Sequence, residues 1–408
     1  MRINTNVAAL NTYNRLTANE NATNKSLQKL SSGYRINTAA DDAAGLAISE
    51  KMRSQIRGLD QATRNSQDGI SMIQTAEGSL NETHDILQRM RELAVQSASD
   101  TNTDQDRNNL QDEMDQLTSE VDRIRNTTQF NTKNLLDGSL AAKASGVAGR
   151  DINKAMDTST TTSDNLVDLK DINGNSLGIK SGDKVTVTYF SNGTFHSGSA
   201  TTVGASTALS SLATSDFSFA VASSGGIYAT ASATGVSGAI NGLTITVTDN
   251  SGNVKSVSTN ALSSFTVERN AKNNVTKDNA ATFQIGANAG QNINLSIDDM
   301  GATALGVKDL KIDNKTRANT AIRAIDEAIQ KVSENRSKLG AYSNRLEHTI
   351  NNLSTASENL TTSESRIRDV DMAKEQTKFT KNNILVQAAT AMLAQANQQP
   401  QNVLSLLR

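Results

Sequence analysis

Cysteine and tryptophan are absent from this 408-residue chain, and Pro400 is its one proline. Without a thiol there is no disulfide framework, no thiolate metal site and no cysteine nucleophile. The three histidines, His84, His196 and His348, fall in three different segments. No HExxH pattern, P-loop or GxGxxG turn is present. "DINGNSLGIKSG" sets Asp171, Asn173 and Asn175 at alternate positions, as a calcium loop does. Ser176 then stands where the turn glycine is required and Gly182 where a bidentate Glu is required, so an ordinary hairpin turn is expected. Neither a catalytic constellation nor a cofactor is expected.

Charge of one sign is also missing, the formal net charge being −2. Its distribution is uneven. Arg2, Arg15, Lys25, Lys29 and Arg35 face only Glu20 in residues 1–40, and Lys374, Lys378, Lys381 and Arg408 face only Glu375 in residues 372–408. These basic ends lack aromatic interleaving or a DNA-binding motif, so a solvated or mutually paired face is expected and no nucleic acid. The opening MRINTNVAALNTYN has no charged-then-apolar run and no small-residue cleavage site, which leads us to expect no cleaved signal peptide.

What the chain does have is long apolar stepping. Met52, Ile56, Leu59, Thr63, Ser66, Ile70, Ile73, Glu77, Leu80, His84, Leu87, Arg91 and Ala94 step alternately by four and three. Leu110, Met114, Leu117, Val121 and Ile124 resume the step after a polar turn. From Ile322 through Ile325, Ile329, Val332, Leu339, Leu346, Leu353 and Leu360 to Ile367 it runs longer still. Such spacing marks narrow seams between long helices. A helix from 320 to 368 is about 70 Å long at 1.5 Å per residue. Residues 5–33 are helical in pattern too, with polar residues in mid-seam, and need a packing partner.

Between 141 and 300 the heptads vanish. Most of the aromatics and glycines lie there. "KVTVTYF" alternates with period two into "SNG" and "TFHSGSATTV"; "GLTITVTDNSGNVKSVS" predicts a second hairpin around Asn250, Ser251 and Gly252. Alternation bounded by such turns reads as antiparallel β. The expected fold class is therefore mainly α with an inserted β domain: a long coiled-coil-like bundle from both chain ends and an outer antiparallel β-rich region.

The C-terminus, "NNILVQAATAMLAQANQQPQNVLSLLR", sets Val403, Leu404, Leu406 and Leu407 within six residues of the last carboxylate. Chain ends are usually polar and frayed. Residues 384–396 are apolar almost all round, yet shorter than the ~20 residues that cross a bilayer. No membrane insertion is expected, and the tail requires a protein to bury against.

"LSSGYRINTAADDAAGLAISEKMRSQIRGL", "QRMRELAVQSA" and "ANQQPQNVLSLLR" closely resemble bacterial flagellin, as do MRINTN and "INLSIDDMGATALGV". The resemblance covers residues 1–140 and 292–408; the middle resembles nothing specific. It implies a self-assembling subunit of the extracellular flagellar filament. Residues 1–44 and 371–408 would form the filament core, 45–140 and 301–370 a helical tube domain, and 141–300 an outer variable domain. The core assignment carries to Leu10, Leu16, Leu27, Leu30, Ile384, Leu385, Met392, Leu393, Val403, Leu404, Leu406 and Leu407. The implied partners are further copies, an export chaperone on the C-terminal segment, and the filament cap and hook–filament junction proteins. Toll-like receptor 5 recognition carries to Arg89 and Leu93 in QRMRELAV and to Glu113 on the next helix. Cytosolic immune sensing carries to Leu404, Leu406 and Leu407. Two other readings stand beside this one: a junction protein with similar ends, and a binding or enzymatic module displayed by residues 141–300.

Overall fold

The computed structural model describes residues 6–143, 145–221, 226–271, 275 and 278–406, with 237 and 399–406 as backbone only. The chain opens with α1 (Val7–Ser32), α2 (Ala43–Ser97) and α3 (Asp104–Thr127). The strands β1 (Gln129–Phe130), β2 (Lys133–Asn134), β3 (Arg150–Asn153), β4 (Lys184–Ser191), β5 (Thr194–Ser197) and β6 (Thr201–Thr202) follow. Next come β7 (Phe217–Val221), β8 (Ile227–Ala231), β9 (Ile240–Thr248), α4 (Ser256–Leu262) and β10 (Phe265–Arg269). After β11 (Ala281–Gln284), β12 (Asn292–Leu295) and α5 (Ala302–Leu305), the chain ends in α6 (Lys315–Arg368) and α7 (Met372–Leu406). Two compact units result: residues 1–65, 284–291 and 348–408 in one, and 66–283 with 292–347 in the other.

In the first unit α1 begins where Asn6 accepts the Ala9 amide at 3.0 Å, relieving one of the orphan donors of a first turn. It stops at Gly33, whose φ of 75° closes the helix with a bond from its amide to Lys29 O at 2.9 Å. The link to α2 is pinned rather than loose. Arg35 N donates to Arg368 O and Val370 N to Gly33 O, so the 33–35 strand segment pairs with 368–370. Arg368 stacks over Tyr34 at 4.8 Å and meets Glu50 at 2.5 Å. Asp42 caps α2 by accepting the Gly45 amide at 2.9 Å. Further along, Leu59, Ala62 and Leu353 pack with Ala287 and Leu360. A Cβ on Gly58 would lie 2.9 Å from that of Ala287, so only glycine admits the 285–291 turn against α2.

In the second unit the buried stripe of α2 differs from the expected one. The buried stripe runs through Ser66, Gly69, Ile73, Ala76, Leu80, Thr83, Leu87, Met90, Ala94 and Ser97, with Met72 and Leu93 buried beside it. One half of the seam is as read; the other lies a residue earlier, in place of Ile70, Glu77, His84 and Arg91. Small side chains at 69, 76 and 83 let neighbouring elements approach, and Arg91 turns outward to bond Asp326 at 2.6 Å. α3 opens with a capping box, Thr103 and Asp106 satisfying each other's backbone amides, and buries Met114, Val121 and Ile124. On α6, Ile325, Val332, Leu339 and Leu346 are buried as expected.

Two four-stranded antiparallel sheets fill the middle. One runs β10-β3-β8-β7. In the other, β4 carries β9 along one edge and β5 with β6 along the opposite edge. Asn192 and Gly193, at φ of 50° and 76°, make the two-residue turn between β4 and β5 that "SNG" announced. The sheets bury Val185, Val187, Tyr189, Phe217, Ile227, Leu243 and Ile245 in one apolar cluster. The expected second hairpin turns as read and returns antiparallel, with Val254 bridged to Thr248 and Lys255 N donating to Val247 O at 2.8 Å, but the return strand goes no further. From Ser256 the chain forms α4, not a longer strand, because Thr259 and Ser263 complete the β9 edge with their hydroxyls. Val247 N donates to Thr259 Oγ1 at 3.0 Å and Ile245 N to Ser263 Oγ at 2.8 Å. A helix thus closes an edge that would otherwise invite another strand.

The calcium-like loop is a hairpin turn, as expected. Asp171 Oδ1 accepts the amides of Asn173 at 2.9 Å and Asn175 at 2.8 Å, which occupies the carboxylate within its own turn.

Candidate assembly surface

α1 and α7 pack antiparallel, and their contact is a narrow heptad seam. On α7 the covered positions are Glu375, Phe379, Asn382, Val386, Ala389, Leu393 and Ala396, stepping four and three. On α1 they include Asn6, Ala9, Thr12, Leu16, Asn19, Thr23, Ser26 and Leu30. One end is fixed by Asn6 Nδ2 donating to Ala396 O at 2.8 Å. The other is fixed by the Ser26 hydroxyl donating to the Glu375 carboxylate. Burial pushes that carboxyl up, but Ser26, Lys378 and Lys29 outweigh it and hold Glu375 below the ordinary carboxylate range.

A seam so rich in small and polar residues buries little of either helix. Of the twelve residues assigned to the filament core, Leu16 is buried and Leu30 and Leu393 are half-buried in the seam. Leu10 (56% exposed), Leu27, Ile384 (60%), Leu385 and Met392 (61%) lie outside it in the isolated chain. Val403, Leu404 and Leu406 belong to α7 and are described only by their backbone, and Leu407 lies outside the described residues. Val7 and Tyr13 join the exposed apolar set. The sequence reading did not assign these two to the filament core; they lie off the α1 positions that the α7 seam covers.

Arg89, Leu93 and Glu113 come together on α2 and α3, but with different roles. Arg89 Nε donates to Glu113 Oε1 at 2.9 Å and Nη1 to Glu92 Oε2 at 3.0 Å, all at the surface. The hydrogen bonds from Glu113 and Glu92 hold the Arg89 guanidinium above its ordinary value. Leu93 is 1% exposed and packs inside the helical core. A partner touching this patch therefore meets the charged pair and not the buried Leu93.

Among the described residues no group of three or more His, Asp or Glu side chains is arranged to hold a metal ion. Nor is any described helix long and apolar enough to cross a membrane.

Residues 3–141 match the family model of the bacterial flagellin N-terminal helical region, and residues 322–407 that of the C-terminal helical region. The chain belongs to the flagellin family. Flagellin of Clostridium tyrobutyricum is 47% identical, with 98% of this chain and 100% of the relative covered. Flagellin of Bacillus subtilis (strain 168) is 42% identical over the whole of both chains. The crystal structure of Bacillus cereus flagellin overlays 71% of this chain and 88% of its own at a TM-score of 0.32 and 19% identity. Flagellins are structural subunits of the extracellular flagellar filament and form a structural, not an enzymatic, family. The matched flagellin segments hold α1, α2, α3 and the β1–β2 pair at one end and the body of α6 with α7 at the other, and β3 to β12 fall between them.

Proposed function

We propose that this chain polymerises through the exposed apolar side chains of the α1–α7 pair, with residues 1–44 and 371–408 as the core of the filament. Residues 45–140 and 301–370 form the surrounding helical layer, and 141–300 face outward. The reading is carried by one observation: Leu10, Leu27, Ile384, Leu385 and Met392 are large apolar residues left in water by a helix pair whose own seam is mostly small and polar. Burying such side chains contributes about 1.5–3 kcal/mol each, an amount available only on association. The proposal takes in Val403, Leu404, Leu406 and Leu407 on the flagellin resemblance of the closing sequence. Before assembly an export chaperone covers the C-terminal segment, and in the mature organelle the cap and hook–filament junction proteins meet the two filament ends.

The test is polymerisation of the purified full chain, seeded with sheared filament and imaged by electron microscopy. Long uniform filaments are expected. A folded monomer that stays monomeric at high concentration with seeds present would overturn the reading.

The exposed Arg89–Glu113 pair favours a second role as a ligand of Toll-like receptor 5, read by its charges, with the buried Leu93 acting through the packing of α2. Leu404, Leu406 and Leu407 are the residues offered to cytosolic sensors once the chain is monomeric. A receptor reporter assay on depolymerised protein tests the first, and absence of signalling at any concentration refutes it.

A further inference from the structure

Within the second unit, β9 lies directly on α6. A Cβ on Gly242, which sits at φ +67°, would be 2.3 Å from Thr320 O and 3.0 Å from Ala324 N. This close contact brings an amine to a carboxamide. Lys331 on α6 donates to Leu305 O at 3.2 Å, and its Nζ stands 3.5 Å from Oδ1 of Asn241 on β9. Asn241 is 5% exposed. Its carboxamide lies against Gly306, where a Cβ would come within 2.4 Å of Cγ and Oδ1, so a larger residue at 306 would push the carboxamide away. Glu327, one turn before Lys331 on the same face of α6, accepts the Gly242 amide at 3.0 Å.

These contacts favour one reaction over another. Asn-Gly pairs ordinarily lose ammonia by attack of the glycine nitrogen on the preceding carboxamide. Here the Gly242 N–H is held by Glu327, which opposes that route while β9 is docked. The nucleophile that faces the carboxamide is Lys331. Groups held at ~3–3.5 Å react with much of the advantage of an intramolecular step. The terminal torsion of Asn is soft, so a small turn presents Cγ instead of Oδ1 to Nζ. Burial disfavours the charged amine and lowers Lys331, with Glu327 and Asp151 opposing. A lysine desolvated in this way is an activated nucleophile. Lys331 also lines a cavity of about 200 Å³ with Met300, Leu305 and Asn335, a path for a small leaving group.

We propose that Lys331 and Asn241 join in an isopeptide cross-link once β9 has docked on α6. The Nζ–Cγ bond forms and the Cγ–Nδ2 bond breaks. Starting from the ammonium, Nζ gives up two protons and the departing nitrogen takes up both, so one ammonium ion leaves and carries the lysine charge with it. The Glu327 carboxylate, one turn away, takes a proton from Nζ and passes it to the departing nitrogen. Nothing is oxidised or reduced, and no co-reactant is required. The bond closes a loop of 90 residues, which restricts the unfolded chain and ties the β9 sheet to α6.

The experiment is intact mass measurement and tryptic mapping of the full chain, sampled at intervals after expression. The wild type is expected to lose the mass of one ammonia, to resist cleavage after Lys331, and to yield residues 324–336 joined to residues 185–255 as a branched peptide. Lys331→Arg keeps the charge and a donor for Leu305 O but offers no nucleophilic amine, and is expected to keep its full mass. Glu327→Gln keeps an acceptor for the Gly242 amide but carries no proton, and is expected to slow the loss at least about tenfold. A wild-type chain at full mass with complete cleavage after Lys331 overturns the cross-link. Ammonia loss confined to an unbranched peptide, or equal loss in Lys331→Arg, overturns it too. A wild-type rate in Glu327→Gln overturns the relay. The branched peptide is read on the wild type, so the test survives a variant that does not fold.

Discussion

The Ser26 hydroxyl on α1 donates to the Glu375 carboxylate on α7, and both residues are buried. A seam of alanines, threonines and asparagines tolerates sliding, whereas one buried polar pair penalises every register but its own. Ser26→Ala should therefore loosen the helix pair by about 1 kcal/mol, the usual worth of such a bond, or roughly fivefold in opening. Faster amide exchange in α1 peptides of the monomer checks it. Glu375 is held below the ordinary carboxylate range, so its contribution is present above that range and is lost as pH falls through its lowered value. The same peptides should lose protection in acid, and the Ser26→Ala difference should shrink there.

This pair also shows where the sequence stops being legible. The helices, the seams and the type of fold follow from spacing alone, since a 4-3 step allows little else. Which half-step faces inward does not. Glu77, His84 and Arg91 fit the step of α2 as well as Ala76, Thr83 and Met90 do, and only the approach of a second element, fitted by Gly69 and Ala76, selects the latter. The return strand of the second middle hairpin stops after Lys255 for a related reason. Ser256–Leu262 alternates acceptably for a strand, but Thr259 and Ser263 are spaced to put two hydroxyls on one face of a helix and so reach the β9 edge. Among candidate site residues, Arg89 and Glu113 were named by a motif match; their ion pair was not visible in it.

Ser263 is the more exacting of those two hydroxyls, because it both accepts from Ile245 N and donates to Ile245 O at 2.8 Å. It is buried, so Ser263→Ala leaves a strand amide and a carbonyl without partners. The expected loss is about 1–3 kcal/mol in the β region. Denaturant unfolding followed by tyrosine fluorescence measures it, since Tyr189 and Tyr228 lie in these sheets. Stability unchanged within ~0.5 kcal/mol would mean that water replaces the hydroxyl at the β9 edge.

Arg89→Ala with Glu113→Ala removes an exposed ion pair, both side chains being about half exposed. Such pairs are worth about 0–1 kcal/mol, so the melting temperature should barely move. Signalling through Toll-like receptor 5 should fall. Leu93→Ala behaves differently: it empties a buried core position and should cost about 2–5 kcal/mol, reducing signalling only by loosening α2 against its neighbours. Comparing the two variants at matched concentration and purity separates contact from support. Full signalling by the double variant removes the charged pair from the receptor reading.

Ile384 and Met392, at 60% and 61% exposure, have almost nothing to lose in the monomer. Substituting both by Ser should leave the monomer's melting temperature within the small range of surface changes, about 0.5 kcal/mol. On the proposed assembly surface the same side chains would be buried at every subunit, each contributing up to about 1.5–3 kcal/mol less the entropy of ordering its segment. A loss of ~1.4 kcal/mol per subunit raises the critical concentration tenfold, so the double variant should need at least ten times more protein to grow seeded filaments. Deleting residues 398–408 tests the same surface at its end and should suppress growth with an unchanged monomer. Sedimentation of seeded polymer against total protein gives the critical concentration directly. Wild-type growth by both altered chains would remove α7 from the subunit contact. A large fall in monomer melting temperature would instead place its exposed face in the monomer's own packing.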